Sequence, residues 1–164
     1  MKKFVHLSIF ILVITSFYGC PVGVDYPLGT TGTEKINKEL LGTWVSDSKD
    51  AEVLKVKFEK NDDNSYKVTV LERGEMYALE TDNLTGWVTE VEGKTFFYFM
   101  PENENKYYHY MVKEADKSKM VTCDVALLDG GVDAVTSTEA LRKQVATSMK
   151  NPDYGLETIS WTKE

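Results

Sequence analysis

Cysteine, histidine and positive charge are all scarce in this chain, and each shortage removes a class of function. Two cysteines in 164 residues cannot make the multi-bridge scaffold of a small secreted domain, nor a four-thiolate zinc site. Two histidines leave no His-rich metal or catalytic cluster, so no metal and no cofactor is expected. With 19 Lys+Arg against 26 Asp+Glu the formal charge is -7, which makes a phosphate backbone a poor partner and argues against nucleic acid. Internal repeats, Gly-rich phosphate loops and nucleophile elbows are also missing. What remains is 42% hydrophobic and 27% charged, the balance of one ordinary globular domain.

The first twenty residues read as an address. Lys2 and Lys3 precede a mostly apolar stretch over residues 4–17, and Gly19-Cys20 closes it. That stretch is too short for a spanning helix and fits an export signal over residues 1–19. A small residue followed by Cys at this place resembles the lipobox of bacterial lipoproteins. The resemblance implies cleavage before Cys20, acyl chains on its sulfur and new amino group, and attachment to a membrane in the cell envelope. The plainer alternative is an ordinary signal peptide with an incidental Cys. Several acyl chains hold a protein far better than one, since each buried CH2 adds about 0.8 kcal/mol. Pro21 stands where inner-membrane lipoproteins of two-membrane bacteria carry Asp, which points to the outer membrane. Without residues 1–19 the charge becomes 17 against 26, or -9, and His109 and Cys123 are left as the lone imidazole and the lone unmodified thiol. A single thiol has no intramolecular partner, so a buried, inert Cys123 is expected. Residues 20–35, rich in Gly, Pro and Thr without periodicity, read as a flexible tether.

From Ile36 on, turn signals recur every eight to twelve residues, the mark of an all-β sandwich or barrel. Strands are predicted over 42–47, 52–59 (with Leu54, Val56 and Phe58 facing one way), and from Tyr66 through Val68 and Val70. Others follow over 75–81, 85–91, 94–100, 106–113 and 119–126, with tight hairpins at Arg73-Gly74 and Glu92-Gly93. Thr136 with Glu139 fits a helix capping box, and Leu141, Val145 and Met149 make one narrow apolar stripe before Asn151-Pro152 stops the helix. Such a helix lies on a surface. A ninth strand is predicted over 156–162. Closing eight short strands removes both sheet edges, so the expected fold is an all-β, eight-stranded antiparallel meander barrel over residues 36–164, with one outer helix and a short last strand. A two-sheet sandwich is the alternative.

Gly42-Thr43-Trp44 on the first strand matches the Gly-x-Trp motif of lipocalins. Eight meandering strands, an outer helix and a short last strand also resemble that family's layout. The resemblance implies a ligand-carrying barrel in which Trp44 closes the base, packed by an Arg of the eighth strand. That strand offers no Arg here, because the chain holds only Arg73 and Arg142, and the family's Thr-Asp-Tyr motif is replaced over residues 101–106.

Aromatic residues concentrate over residues 96–110. Period two sends Phe97 and Phe99 to one face of their strand, and Phe96, Tyr98 and Met100 to the other. Tyr108, Tyr110 and Val112 likewise oppose Tyr107, His109 and Met111. Phe97, Phe99, Tyr108 and Tyr110 are therefore the candidate ligand-binding residues, and core packing is the competing explanation. The opposite face is a candidate sticky surface for an envelope protein partner unless the outer helix covers it. No catalytic residues are expected: a lone His109 lacks a partner base or nucleophile, Asp62-Asp63-Asn64 reads as a turn, and the scattered Glu residues define no carboxylate pair. The function expected is non-enzymatic, a lipid-anchored barrel holding a small apolar or amphipathic ligand. The rival is a structural or interaction module of the envelope whose barrel is packed solid.

Overall fold

The computed structural model describes residues 23–125, 127 and 130–164. The segment expected to be an export signal, Cys20 and part of the 119–126 strand expectation lie outside those residues. Eight strands run in chain order around a closed antiparallel barrel: β1 Gly42–Ser46, β2 Val53–Lys60, β3 Tyr66–Arg73, β4 Asn83–Val91, β5 Lys94–Pro101, β6 Tyr108–Ala115, β7 Lys119–Asp124 and β8 Ile159–Lys163. One helix, α1 Thr138–Ser148, lies between β7 and β8.

The longest ladder joins β4 to β5. β4 pairs with β5 from Leu84↔Pro101 to Val91↔Lys94, and β5 with β6 from Thr95↔Val112 to Phe99↔Tyr108. Between β4 and β5 only Glu92 and Gly93 remain, with φ 51° and 71°. Two successive positive φ values mark the tight turn whose twist matches a hairpin, and Gly93 suits it because it carries no Cβ.

Three expectations need correction. Residues 75–81 form no strand: they cross one end of the barrel, with Tyr77 Oη donating to the Thr81 carbonyl at 2.6 Å. Their alternating Tyr77 and Leu79 pack down onto the barrel interior from above, so an apolar period of two serves a cover and not a ladder. For the same reason Arg73-Gly74 is no hairpin. Gly74 N donates to Glu52 O at 2.8 Å, and a Cβ there would lie 1.8 Å from the Ala51 carbonyl oxygen, so glycine permits one loop to rest on another. The last strand, expected as a ninth, is the eighth member of the barrel and closes it by pairing with both β7 and β1.

Smaller departures have local causes. An irregularity in the β2–β3 register between Val53 and Val56 puts Val53, and not Leu54, on the interior. The cap of α1 is Ser137, one residue beyond Thr136, its Oγ accepting from Ala140 N at 3.0 Å.

The two ends of the barrel differ. At the base a 3-10 turn, Lys38–Leu40, crosses the opening; Trp44 is fully buried above it and donates Nε1–H to Leu40 O at 2.8 Å. Lys163 on β8 sits with Nζ 5.0 Å from the centre of the Trp44 ring and donates to Glu39 O. Tyr66 Oη adds a second latch by bonding the backbone of Asn37 on both sides, N and O. At the other end lie the longer connections, 46–53, 73–83, 101–108 and the segment leading into β8.

Two apolar layers result. The inner one holds Trp44, Val56, Phe58, Tyr66, Val68, Phe97, Val112 and Trp161 among others. The outer one lies between the β4–β7 surface and two covers, α1 and the N-terminal segment. The region expected as a free tether is, over residues 23–29, part of that outer layer: Val24 pairs with Tyr107, Leu28 is fully buried, and Arg142 of α1 donates to Leu28 O at 2.9 Å.

Candidate functional site

A cavity of about 970 Å3 occupies the barrel and opens between the 46–53 loop, the 75–79 segment and residues 153–159. The lower walls come from Val56 and Phe58 on β2, Val68 and Val70 on β3, Leu84 on β4, and Met120 and Trp161 opposite. Gly86 on β4 belongs to the same face. A Cβ there would come within 2.7 Å of the Phe97 ring, so the missing side chain is what gives that ring its place.

The four residues singled out from the sequence come together. Phe97, Phe99, Tyr108 and Tyr110 all line the cavity, because register sets Phe97 opposite Tyr110 and Phe99 opposite Tyr108. Phe99 lies between the two tyrosines, 5.8 Å and 21° from Tyr108 and 5.4 Å and 12° from Tyr110. Phe97 stands deeper, 4.9 Å edge-on to Phe58 and nearly covered, so it belongs to the core as much as to the lining. Phe99, Tyr108 and Tyr110 are only half-buried and turn large aromatic surface toward the void. Trp44 belongs to the base, away from the mouth.

Sequence reading missed the carboxylates of this cavity. Glu52 comes from the 46–53 loop and Asp124 from the end of β7, where it pairs in register with Tyr110. Loss of water raises the Glu52 carboxyl to about 7, helped by the charge of Asp124. Asp124 is an exposed residue at the strand end, yet its carboxyl is raised to about 6, by desolvation first and then by Glu157, which also lines the mouth. Tyr110 is driven well above its ordinary value by burial and by the two carboxylates. Tyr108 and Tyr77 both move to about 12, chiefly through loss of solvent. Tyr108 Oη donates to Glu104 Oε2 at 2.9 Å, whereas the Tyr110 hydroxyl makes no hydrogen bond among the described residues. No local signal could have joined Glu52 to Asp124; only closure of the barrel brings them near.

The outer face of the same hairpin is covered. Phe96 and Tyr98 are fully buried, and His109 is 7% exposed. Tyr98 stacks on Trp87 and on His109. Burial lowers His109 to about 4, so it is neutral, and its Nε2 has no partner among the described residues. It borders a small separate cavity of about 140 Å3 beneath α1, on the far side of the sheet from Glu52 and Asp124. Cys123 is buried and its thiol is pushed up by burial. Among the described residues, no group of three or more His, Cys, Asp or Glu side chains is placed to hold a metal ion.

No protein-family model, no curated protein and no solved structure matches this chain. Function therefore has to be read from the cavity.

Proposed function

We propose that this protein is a lipid-anchored lipoprotein of the bacterial envelope whose lipocalin-like barrel binds a small apolar or amphipathic molecule. The observation that carries the reading is the cavity: about 970 Å3, at the upper end of what ligand sites occupy, apolar below and bearing a few polar groups above. A barrel whose role is purely structural has no use for half-buried aromatics turned toward a void. The base agrees with the lipocalin resemblance in one further respect. Lys163 on the eighth strand supplies the cation over Trp44 that the family draws from Arg.

The anchor reading gains from the docked N-terminal segment. Val24 is fixed against Tyr107, beside the 101–108 connection at the cavity end. From Cys20 to Val24 an extended chain reaches at most about 14 Å. Acyl chains on Cys20 would therefore keep the open end of the barrel close to the lipid surface, where an amphipathic ligand would enter or leave.

The rival reading, a solid interaction module with an aromatic outer face, is disfavoured by the void inside and the cover outside. Catalysis is disfavoured because His109 lies across the sheet from the cavity carboxylates. Native mass spectrometry of the protein released from its own membranes tests the carrier reading: a co-bound small molecule is expected, and a stoichiometric protein partner with an empty barrel would favour the rival. Cys20→Ala should abolish acyl labelling and move the protein to the soluble envelope fraction; unchanged membrane association would refute the anchor.

A further inference from the structure

Resting on that carrier reading, the charge at the mouth narrows the ligand. We infer that the cavity takes amphiphiles whose polar end is a cation, a long-chain amine or quaternary ammonium, with the chain in the apolar barrel and the head between Glu52, Asp124 and the Tyr108–Phe99–Tyr110 ring stack.

Two independent features meet there. The first is the lining charge: Glu52, Asp124 and Glu157 face one space, and the cations near it are otherwise engaged or peripheral. Arg73 is paired with Asp82 at 2.7 Å and lies over Tyr77, Lys113 donates to Gly155 O, and Lys49 is an exposed residue at the rim. Glu52 and Asp124 are raised by lost solvent first and then by a neighbouring carboxylate's charge, so a bound cation would relieve both penalties while an anionic head would add to them. The second feature is aromatic. Three half-buried rings border the same space, and ring faces attract ammonium groups most strongly where water is excluded. Tyr110 is Asp124's register neighbour, and its hydroxyl, which makes no hydrogen bond among the described residues, can accept from an ammonium N–H.

The test uses the full chain in nanodiscs, with empty nanodiscs as blank, and a neutral naphthylamine probe displaced by dodecylamine, dodecanol, dodecanoate or a single-chain zwitterionic phosphatidylethanolamine. At about pH 8, above the raised Glu52 and Asp124, dodecylamine should bind at least about tenfold more tightly than dodecanoate, with dodecanol between them. The zwitterion should fall well below dodecylamine. In the Glu52→Gln/Asp124→Asn variant the amine-to-dodecanoate ratio should collapse to within about twofold while the neutral probe still binds, which shows that the barrel is intact. Dodecanoate or the zwitterion matching dodecylamine would overturn the cationic preference and leave the carrier reading standing. Failure of the probe and all four competitors to bind would remove the carrier reading itself.

Discussion

The two faces of the β5–β6 hairpin carry nearly the same residue types and lead opposite lives. Outside, Phe96, Tyr98, His109 and Met111 are sealed beneath α1 and residues 23–29, and polar atoms are buried there without partners among the described residues: Tyr98 Oη, His109 Nε2 and, on neighbouring elements, Tyr154 Oη. Inside, Phe99, Tyr108 and Tyr110 stay half-open to a void and keep company with carboxylates. Aromatic content alone therefore says nothing about function. What separates packing surface from binding surface is whether another part of the chain covers the rings.

That contrast can be broken by truncating one residue on each side. Phe96→Ala should cost about 3–5 kcal/mol, because a fully buried ring leaves a cavity, whereas Phe99→Ala should cost less than about 1–2 kcal/mol while weakening ligand binding. Equal losses in denaturant titrations would mean the inner rings are ordinary core. Next in size is Leu28→Ala, expected to cost about 2–4 kcal/mol although it lies in a stretch that reads as a tether. A loss below about 0.5 kcal/mol would show that the N-terminal segment does not cover the outer face in solution.

The faces should also respond to pH in opposite senses. His109 is held low, so the unfolded chain takes up its proton first, and its contribution to stability is lost as pH falls from about 6.5 toward 4. Glu52 and Asp124 are held high, so the folded state keeps their protons longer. Stability falls as pH rises from about 4 through 6–7 and is flat beyond. The two effects offset one another in the wild-type protein. His109→Phe should gain about 2–3 kcal/mol at pH 4 relative to pH 8. Asp124→Asn should gain about 1–2 kcal/mol at pH 8 relative to pH 4, a figure reduced for the water that reaches this carboxylate. Denaturation curves of the two variants at both pH values check the signs, and parallel shifts would contradict the assignment of the faces.

Local alternation made the hairpin faces, the inner side of β3 and the Glu92-Gly93 turn readable from sequence, because a period of two and a positive φ are properties of neighbouring residues. The helix stripe of Leu141 and Val145 was readable on the same ground. Features that depend on distant chain were not. Tyr77 and Leu79 alternate like strand residues, and only the open mouth beneath them makes them a cover. Val24 and Leu28 sit among Gly and Pro without periodicity, and they become buried because the β4–β6 outer surface needs apolar partners. Four of the cavity residues were visible as a pattern on one hairpin, while Glu52 and Asp124 became neighbours only once the barrel had closed.

A barrel with usable space inside it is the claim on which the rest depends. Titration of the full chain with the neutral naphthylamine probe measures this directly, comparing the wild type with Val53→Trp, which places a bulky ring in the mouth. Saturation at one probe per chain with a blue-shifted emission, lost in Val53→Trp while far-ultraviolet circular dichroism is unchanged, is the result expected. Non-saturable binding, or equal binding by both proteins, would mean that no ligand occupies the barrel.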